Sequence, residues 1–304
     1  MSTSGSPFSR LVTVPVTGST QDDLRSALRG PEAEAWPHLS ALRALRQTAG
    51  RGRSGRAWVT PDDGALLVSV VLRPLVPARL LTWVPLLAGL AVRDALEPFV
   101  RGRGWRMGTK WPNDVVAVPE SSTVVAPVPG WASTRKIAGV LSELVTPEPS
   151  EGRTTQLSVA DEGPAGRDEA PMVILGIGVN IGQEVDDLPV AWAGSLRTLG
   201  VVDADGDSAH AAVAEVALNA IGHQLARRLE QWEGVCGDVD AGDGALGREL
   251  RAALTTLGQH VSVQAPDGEL SGLAVDVTPA LVLRNQAGDT EVRAGDVTLV
   301  RVTG

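Results

Sequence analysis

The chain alternates short apolar runs with polar breaks, and the period of those runs changes along its length. Apolar and β-branched residues fill 11–16 and predict a first strand. A Thr17-Gly18-Ser19-Thr20 turn follows, then a helix over 21–28, with Ser19 or Thr20 as N-cap and Asp22 and Asp23 in the dipole-favoured first turn. A short element at 41–47 leads into a glycine/arginine loop at 50–56, and 66–72 is a strong strand. Leu86, Leu87, Leu90 and Leu96 fall at helical spacing and predict a helix over 80–100, with Pro85 near its start. Three strand-like pieces follow at 106–111, 114–118 and 136–145. Between the last two, 119–135 is rich in Pro, Ser, Thr and Val and reads as a long exposed loop. A second insertion, acidic and bearing Gly and Pro, occupies 147–171 around one strand at 155–159. A buried strand at 172–179 ends on Asn180. The longest amphipathic helix spans 209–232, with Val213, Val216, Ala220, Leu225 and Leu229 as its expected apolar face.

After about residue 257 the period shortens to two. Val261, Val263, Leu273, Val275, Val277, Leu281, Leu283, Val292, Val297 and Leu299 alternate with polar residues. Turn signals interrupt them at Pro266-Asp267-Gly268 and Ala287-Gly288-Asp289. Four or five short strands in so few residues predict a small all-β barrel of SH3-like size.

Bulk properties narrow the classes. The 304 residues are 43% hydrophobic and 21% charged, ordinary for a globular protein. No apolar run approaches the ~20 residues that span a bilayer, and residues 1–10 carry no signal-peptide core. The single cysteine, Cys236, cannot form an internal disulfide, which fits a reducing cytoplasm. A net charge of −9 argues against nucleic-acid binding through a basic surface. Against that acidic background, Arg51, Arg53 and Arg56 fall within six residues.

Only two lysines occur, and each opens a short segment with chemical potential: Lys110-Trp111-Pro112-Asn113-Asp114, and Lys136 at the head of the strand 136–145. A compact ammonium fits narrow polar sites where the planar guanidinium fork does not. In the first segment Pro112 extends Trp111 and fixes a turn from which Asn113 and Asp114 project; a plain turn between strands is the alternative. Lys136 is expected at the strand mouth with its charged end free, and Glu143 at the far end solvated.

The loop Gly50-Arg51-Gly52-Arg53-Ser54-Gly55-Arg56 can present guanidinium forks and backbone N–H groups together to a phosphate or carboxylate. It is no P-loop, and a solvated basic loop or an RNA-binding patch is the competing reading. Gly176 and Gly178 lack the third glycine of a dinucleotide fingerprint, and a strand that lets a ligand lie close to its backbone fits better. His38, His210, His223 and His260 are scattered, and the EF-hand-like opening Asp203, Asp205, Asp207 fails at Ser208 and Ala214, so the metal site is unknown.

These segments, in this order, resemble the biotin–protein ligases. The resemblance rests on Ser19-Thr20-Gln21, Gln47, Gly50 to Arg56 with Trp58, Lys110 to Asp114, Lys136 to Glu143, and Gly176 to Asn180. It departs at Gln21, where the family usually has Asn. It implies an α+β fold: a mixed sheet with packed helices, like class II aminoacyl-tRNA synthetases, over 1–256, then an SH3-like barrel over 257–304. It implies adenylation of biotin by ATP with Mg²⁺, then transfer to one lysine of a biotin carboxyl carrier protein. Ser19, Thr20, Gln21 and Gln47 would hold biotin, with Arg51, Gly52, Arg53 and Lys136. Arg51, Arg53, Trp58, Asn113 and Asn180 would serve ATP or the adenylate. Lys136, Lys110, Asp114 and Arg51 would carry the chemistry, Asp114 by orienting or deprotonating the incoming amine. The biotin motif begins at Ser19, so a ligase without a DNA-binding domain is expected: cytoplasmic, free of membrane, monomeric or weakly dimeric. A lipoate or octanoate transferase of the same fold, or a non-catalytic binding module, are the alternatives.

Overall fold

The computed structural model describes residues 5–59, 64–145, 163–202, 207–266 and 268–300. Strand β1 (Arg10–Thr17) turns at Gly18 into helix α1 (Thr20–Arg29), and β2 (Ser40–Gln47) returns parallel to β1. The short element expected at 41–47 is thus a strand. Strand β3 (Ala65–Leu72) then runs antiparallel to β2. Helix α2 (Val84–Val100) takes Pro85 in its first turn, where the missing N–H costs nothing; the residues before it, Ala78–Trp83, form a 3₁₀ turn rather than the first part of the α-helix. Strands β4 (Trp105–Lys110), β5 (Asp114–Pro119), β6 (Arg135–Val145) and β7 (Met172–Asn180) complete a seven-stranded mixed sheet of order β1-β2-β3-β7-β6-β5-β4. The strand expected at 155–159 and the Asp203–Asp205 pair lie outside the described residues.

The period of two in β3 divides the protein into layers. Leu66, Val68, Val70 and Leu72 join one apolar core with α2 and with helix α3 (Asp207–Gly234). Val71, from the opposite face, packs with Leu24 and Leu28 of α1, Leu42 and Ile174. Along α3 the buried stripe is Ala217, Leu218, Ile221, Leu225, Leu229 and Trp232. Val216, expected on that face, is 58% exposed. The stripe is set by packing on α2 and is rotated from the one that Val216 marked. A further helix, α4 (Ala245–Ala253), escaped the sequence reading; its Leu246 and Leu250 are one turn apart and both buried.

The chain closes with β8 (His260–Ala265), β9 (Gly268–Val277), β10 (Leu281–Asn285), β11 (Gly288–Val292) and β12 (Asp296–Leu299), an antiparallel sheet of order β11-β10-β9-β8-β12. Its inward Val261, Val263, Val277, Leu281 and Leu283 are almost fully buried, as the alternation predicted. In β9, however, Ala274 takes the buried place in front of a register shift against β10, and Leu273 and Val275 are only partly buried. The two sheets meet at the Lys110–Asp114 turn, where Trp111 Nε1 donates to Pro279 O (3.1 Å) and Trp111 N to Thr256 Oγ1 (3.1 Å).

Candidate active site

Register places the glycines. Gly178 lies between Leu67 and Gly139, and Gly176 between Ser69 and Leu141, in neighbouring rows across β3, β7 and β6. These residues share one sheet face, and small side chains leave a trough above the backbone. The Trp58 indole lies in it. A Cβ at Gly178 would stand 2.6 Å from Trp58 Cε2, and one at Gly139 would stand 3.0 Å from Trp58 Cζ3. Gly50 holds the base of this tryptophan through Trp58 N to Gly50 O (2.9 Å).

The N-terminus of α1 forms one wall. Ser19 Oγ caps the helix by accepting from Asp22 N (3.4 Å). Gln47 Oε1 accepts from both Thr20 N (2.8 Å) and Thr20 Oγ1 (3.0 Å), and the Thr20 hydroxyl meets Ser69 Oγ at 2.8 Å. Gln21 reaches across the trough, its amide donating to Leu141 O at 3.4 Å. Ser19, Thr20 and Gln21 are each under 5% exposed, so this polar wall is built into the core. Behind it Arg25 grips Glu143 and Arg51 pairs with Asp22 at 2.6 Å, so Glu143 is ion-paired rather than merely solvated.

The opposite wall carries the charges. Lys136 Nζ lies 2.6 Å from Asp114 Oδ1, and the expectation of a free ammonium is corrected: the strand mouth is where β5 meets β6, and Asp114 is already there. A register shift after Val115 sets Val116 against Lys136. Asn113 Nδ2 donates to Val140 O (2.6 Å), while Asn113 Oδ1 accepts from Arg53 (3.4 Å). Lys110 is 5% exposed; its ammonium donates to Val297 O and stands 4.1 Å from the centroid of the Trp131 ring. Burial pushes Lys110 down to about 8, partly offset by Asp114 and reinforced by Lys136. Asn180 is 8% exposed and donates to Gly194 O (2.9 Å).

A cavity of about 540 Å³ joins these walls, and Ser19, Thr20, Gln21, Gln47, Arg51, Gly52, Arg53, Trp58, Lys110, Asn113, Asp114, Lys136 and Asn180 all line it. Every residue to which the resemblance assigns a role therefore lines this one cavity, whereas Glu143 lies behind its wall. The sequence reading missed Trp131, Trp192, Gln183 and the β12 residues Asp296, Val297 and Thr298, which line the same cavity. Trp131 overturns part of the exposed-loop reading of 119–135, since it is only 7% exposed. Its one sequence signal was a large aromatic side chain inside a polar loop.

Over residues 14–159 the chain matches the model of the biotin/lipoate A/B protein ligase family. It is 30% identical over 306 residues to the biotin–[acetyl-CoA-carboxylase] ligase of Mycobacterium tuberculosis, covering 98% of this chain and 91% of that one. This chain belongs to the biotin–protein ligase family. A similar ligase from Paracoccus denitrificans is 29% identical, covering 92% of this chain and 97% of the relative. The fold of this family member also matches that of biotin protein ligase from Aquifex aeolicus, solved in complex with biotin and ATP, at a TM-score of 0.63 and 23% identity, over 97% of this chain and all of that one.

Among the described residues no three His, Cys, Asp or Glu side chains gather to cage a metal ion. Asp114, Asp187 and Asp296 are the carboxylates on the ligase cavity. That donor set fits a magnesium ion held mainly by nucleotide phosphates and water, with a carboxylate at most assisting. No helix among the described residues is long and apolar enough to cross a membrane.

Proposed function

We propose that the protein activates biotin with ATP to biotinyl-5′-AMP and transfers the biotin to a lysine of a biotin carboxyl carrier domain, in the cytoplasm. The observation that carries this reading is the Lys136–Asp114 pair, 2.6 Å apart, beside a glycine-floored trough with a buried amide and hydroxyl wall. A ureido ring needs neutral donors and acceptors fixed in place, which Ser19, Thr20, Gln21 and Gln47 offer. The carboxylate attacks the α-phosphorus, a C–O–P bond forms, and pyrophosphate leaves. Lys136 and the Arg51–Arg53 guanidinium groups counter the charge that gathers there. Mg²⁺ arriving with the nucleotide would add neutralising charge on its phosphates.

In the second step a neutral lysine amine attacks the biotinyl carbonyl, the anhydride C–O bond breaks and AMP leaves. Asp114 orients the amine and takes its proton. Gly52 lets the loop backbone approach the adenylate, Trp58 covers it, and Asn113 and Asn180 position the nucleotide. We place the division of labour at 256/257, where α4 has ended and β8 has yet to begin.

Pyrophosphate exchange into ATP that requires biotin tests the reading. Lipoate and octanoate serve as competing acids, and a carrier domain as acceptor. Well-folded protein that exchanges with lipoate but not biotin, or with neither, would sink it.

A further inference from the structure

Trp131 sits on the loop between β5 and β6, the part of the sequence least expected to reach the site. The loop is pinned there. Its backbone closes on itself through Val128 N to Ala132 O (2.7 Å), and Leu299 N of β12 donates to Gly130 O (3.0 Å). The indole stacks on Trp192 with centroids 4.4 Å apart and planes within 3°. The Lys110 ammonium stands over the Trp131 ring as well. Trp192 is in turn tied to Lys136, whose N–H donates to Trp192 O (2.9 Å) and whose Nζ lies 5.9 Å from the Trp192 centroid. The two lysines of the chain are thus joined through a stacked pair of indoles.

We propose that Trp131 is a positioning residue for the nucleotide: it backs the Trp192 ring so that the face of Trp192 not covered by Trp131, the one turned toward the Lys136 ammonium, is a rigid platform for the purine of ATP, and it holds Lys110 against the β12 carbonyl. This rests on the ligase reading and adds a residue to it. Covering one face of an indole leaves one face for a flat heteroaromatic ring, and such stacking is worth ~1–3 kcal/mol per base. A bare Trp192 would instead rotate and pay ordering entropy on each binding event. Lys110 would lose the ring that compensates its burial.

The test compares Trp131→Leu, which keeps apolar bulk without a flat face, with Trp131→Phe, which keeps a smaller one. Wild-type exchange that depends on biotin tests the ligase reading by itself. Given that exchange, Trp131→Leu should raise the KM for ATP about tenfold, with the KM for biotin and the melting temperature nearly unchanged. Trp131→Phe should recover most of the loss. Equal KM values for Leu, Phe and wild type would overturn the proposal. So would parallel rises for ATP and biotin, which mark a merely structural role, as would failure of both variants to fold.

Discussion

Lys136 and Lys110 carry the same charge in very different settings. Lys136 is ion-paired with Asp114 and faces the trough, so on the proposed mechanism its loss removes the cation that counters charge at the α-phosphorus. Lys136→Ala should lower exchange by ~10²–10³-fold, the usual scale for one preorganised electrostatic donor, with an unaltered circular dichroism spectrum. Lys110 is buried, and its ammonium is held down to about 8 by that burial. It is charged below that pH and neutral above it, so its grip on Val297 O, and on the phosphate it would face in the proposed mechanism, weakens as pH rises. Exchange, which needs no deprotonated lysine acceptor, should therefore fall through about pH 8, and Lys110→Met should lose this alkaline limb. Stability runs the other way. The folded value lies below the 10.5 of a free lysine, so the unfolded chain binds more protons between about 8 and 10.5, and this group favours folding increasingly as pH rises through that window.

At the scale of elements, β3, β6 and β7 matter less for what they bury than for what their glycines leave open. Gly178→Ala would put a methyl 2.6 Å from the Trp58 ring and close the trough floor. Biotin affinity should drop at least about tenfold by calorimetry, while β7 keeps its ladder and stability changes by only ~1 kcal/mol, because Trp58 can yield toward the cavity. These elements were also the most legible ones in the sequence. Strands with an unbroken apolar run, such as 66–72, and the two-residue alternation after 257 announce themselves locally. The stripe of α3 and the existence of α4 did not, because Val216 is decided by the angle at which α3 meets α2, and α4 is short, charged and helical largely through its packing. Trp131 was hidden for a related reason: its burial comes from Trp192 and Lys110, residues distant in sequence, against a local composition that says exposed loop.

At the scale of the whole molecule, the terminal sheet is part of the cavity wall. Val297 O receives Lys110, Gly295 O receives Arg53 at 3.3 Å, and Asp296 pairs with Arg56. The Arg56 and Asp296 side chains are about half exposed, so their pair adds under ~1 kcal/mol to stability. Its effect should appear elsewhere. On the proposed reading, in which the 50–56 loop covers the adenylate, Asp296→Ala removes the tie of that loop to the terminal sheet, and more biotinyl-AMP should escape to water per exchange event, with a melting temperature within a few degrees of wild type. Unchanged adenylate release, measured by chromatography of the supernatant, would count against a covering role for the loop–barrel contact.

The scarcity and placement of lysine have a practical side. An adenylate is an acylating agent for amines, as is an activated succinimide ester. On the described surface such reagents find no ready lysine: one ammonium belongs to a residue 5% exposed and bonded to a carbonyl, and the other is clasped by a carboxylate. The enzyme is thereby poorly reactive toward the kind of compound it makes. For the experimenter the same feature inverts. With only two lysine side chains in the sequence, slow acylation under forcing reagent concentrations has two candidate lysine sites, and its further slowing on adding biotin and ATP would report on occupancy of the site.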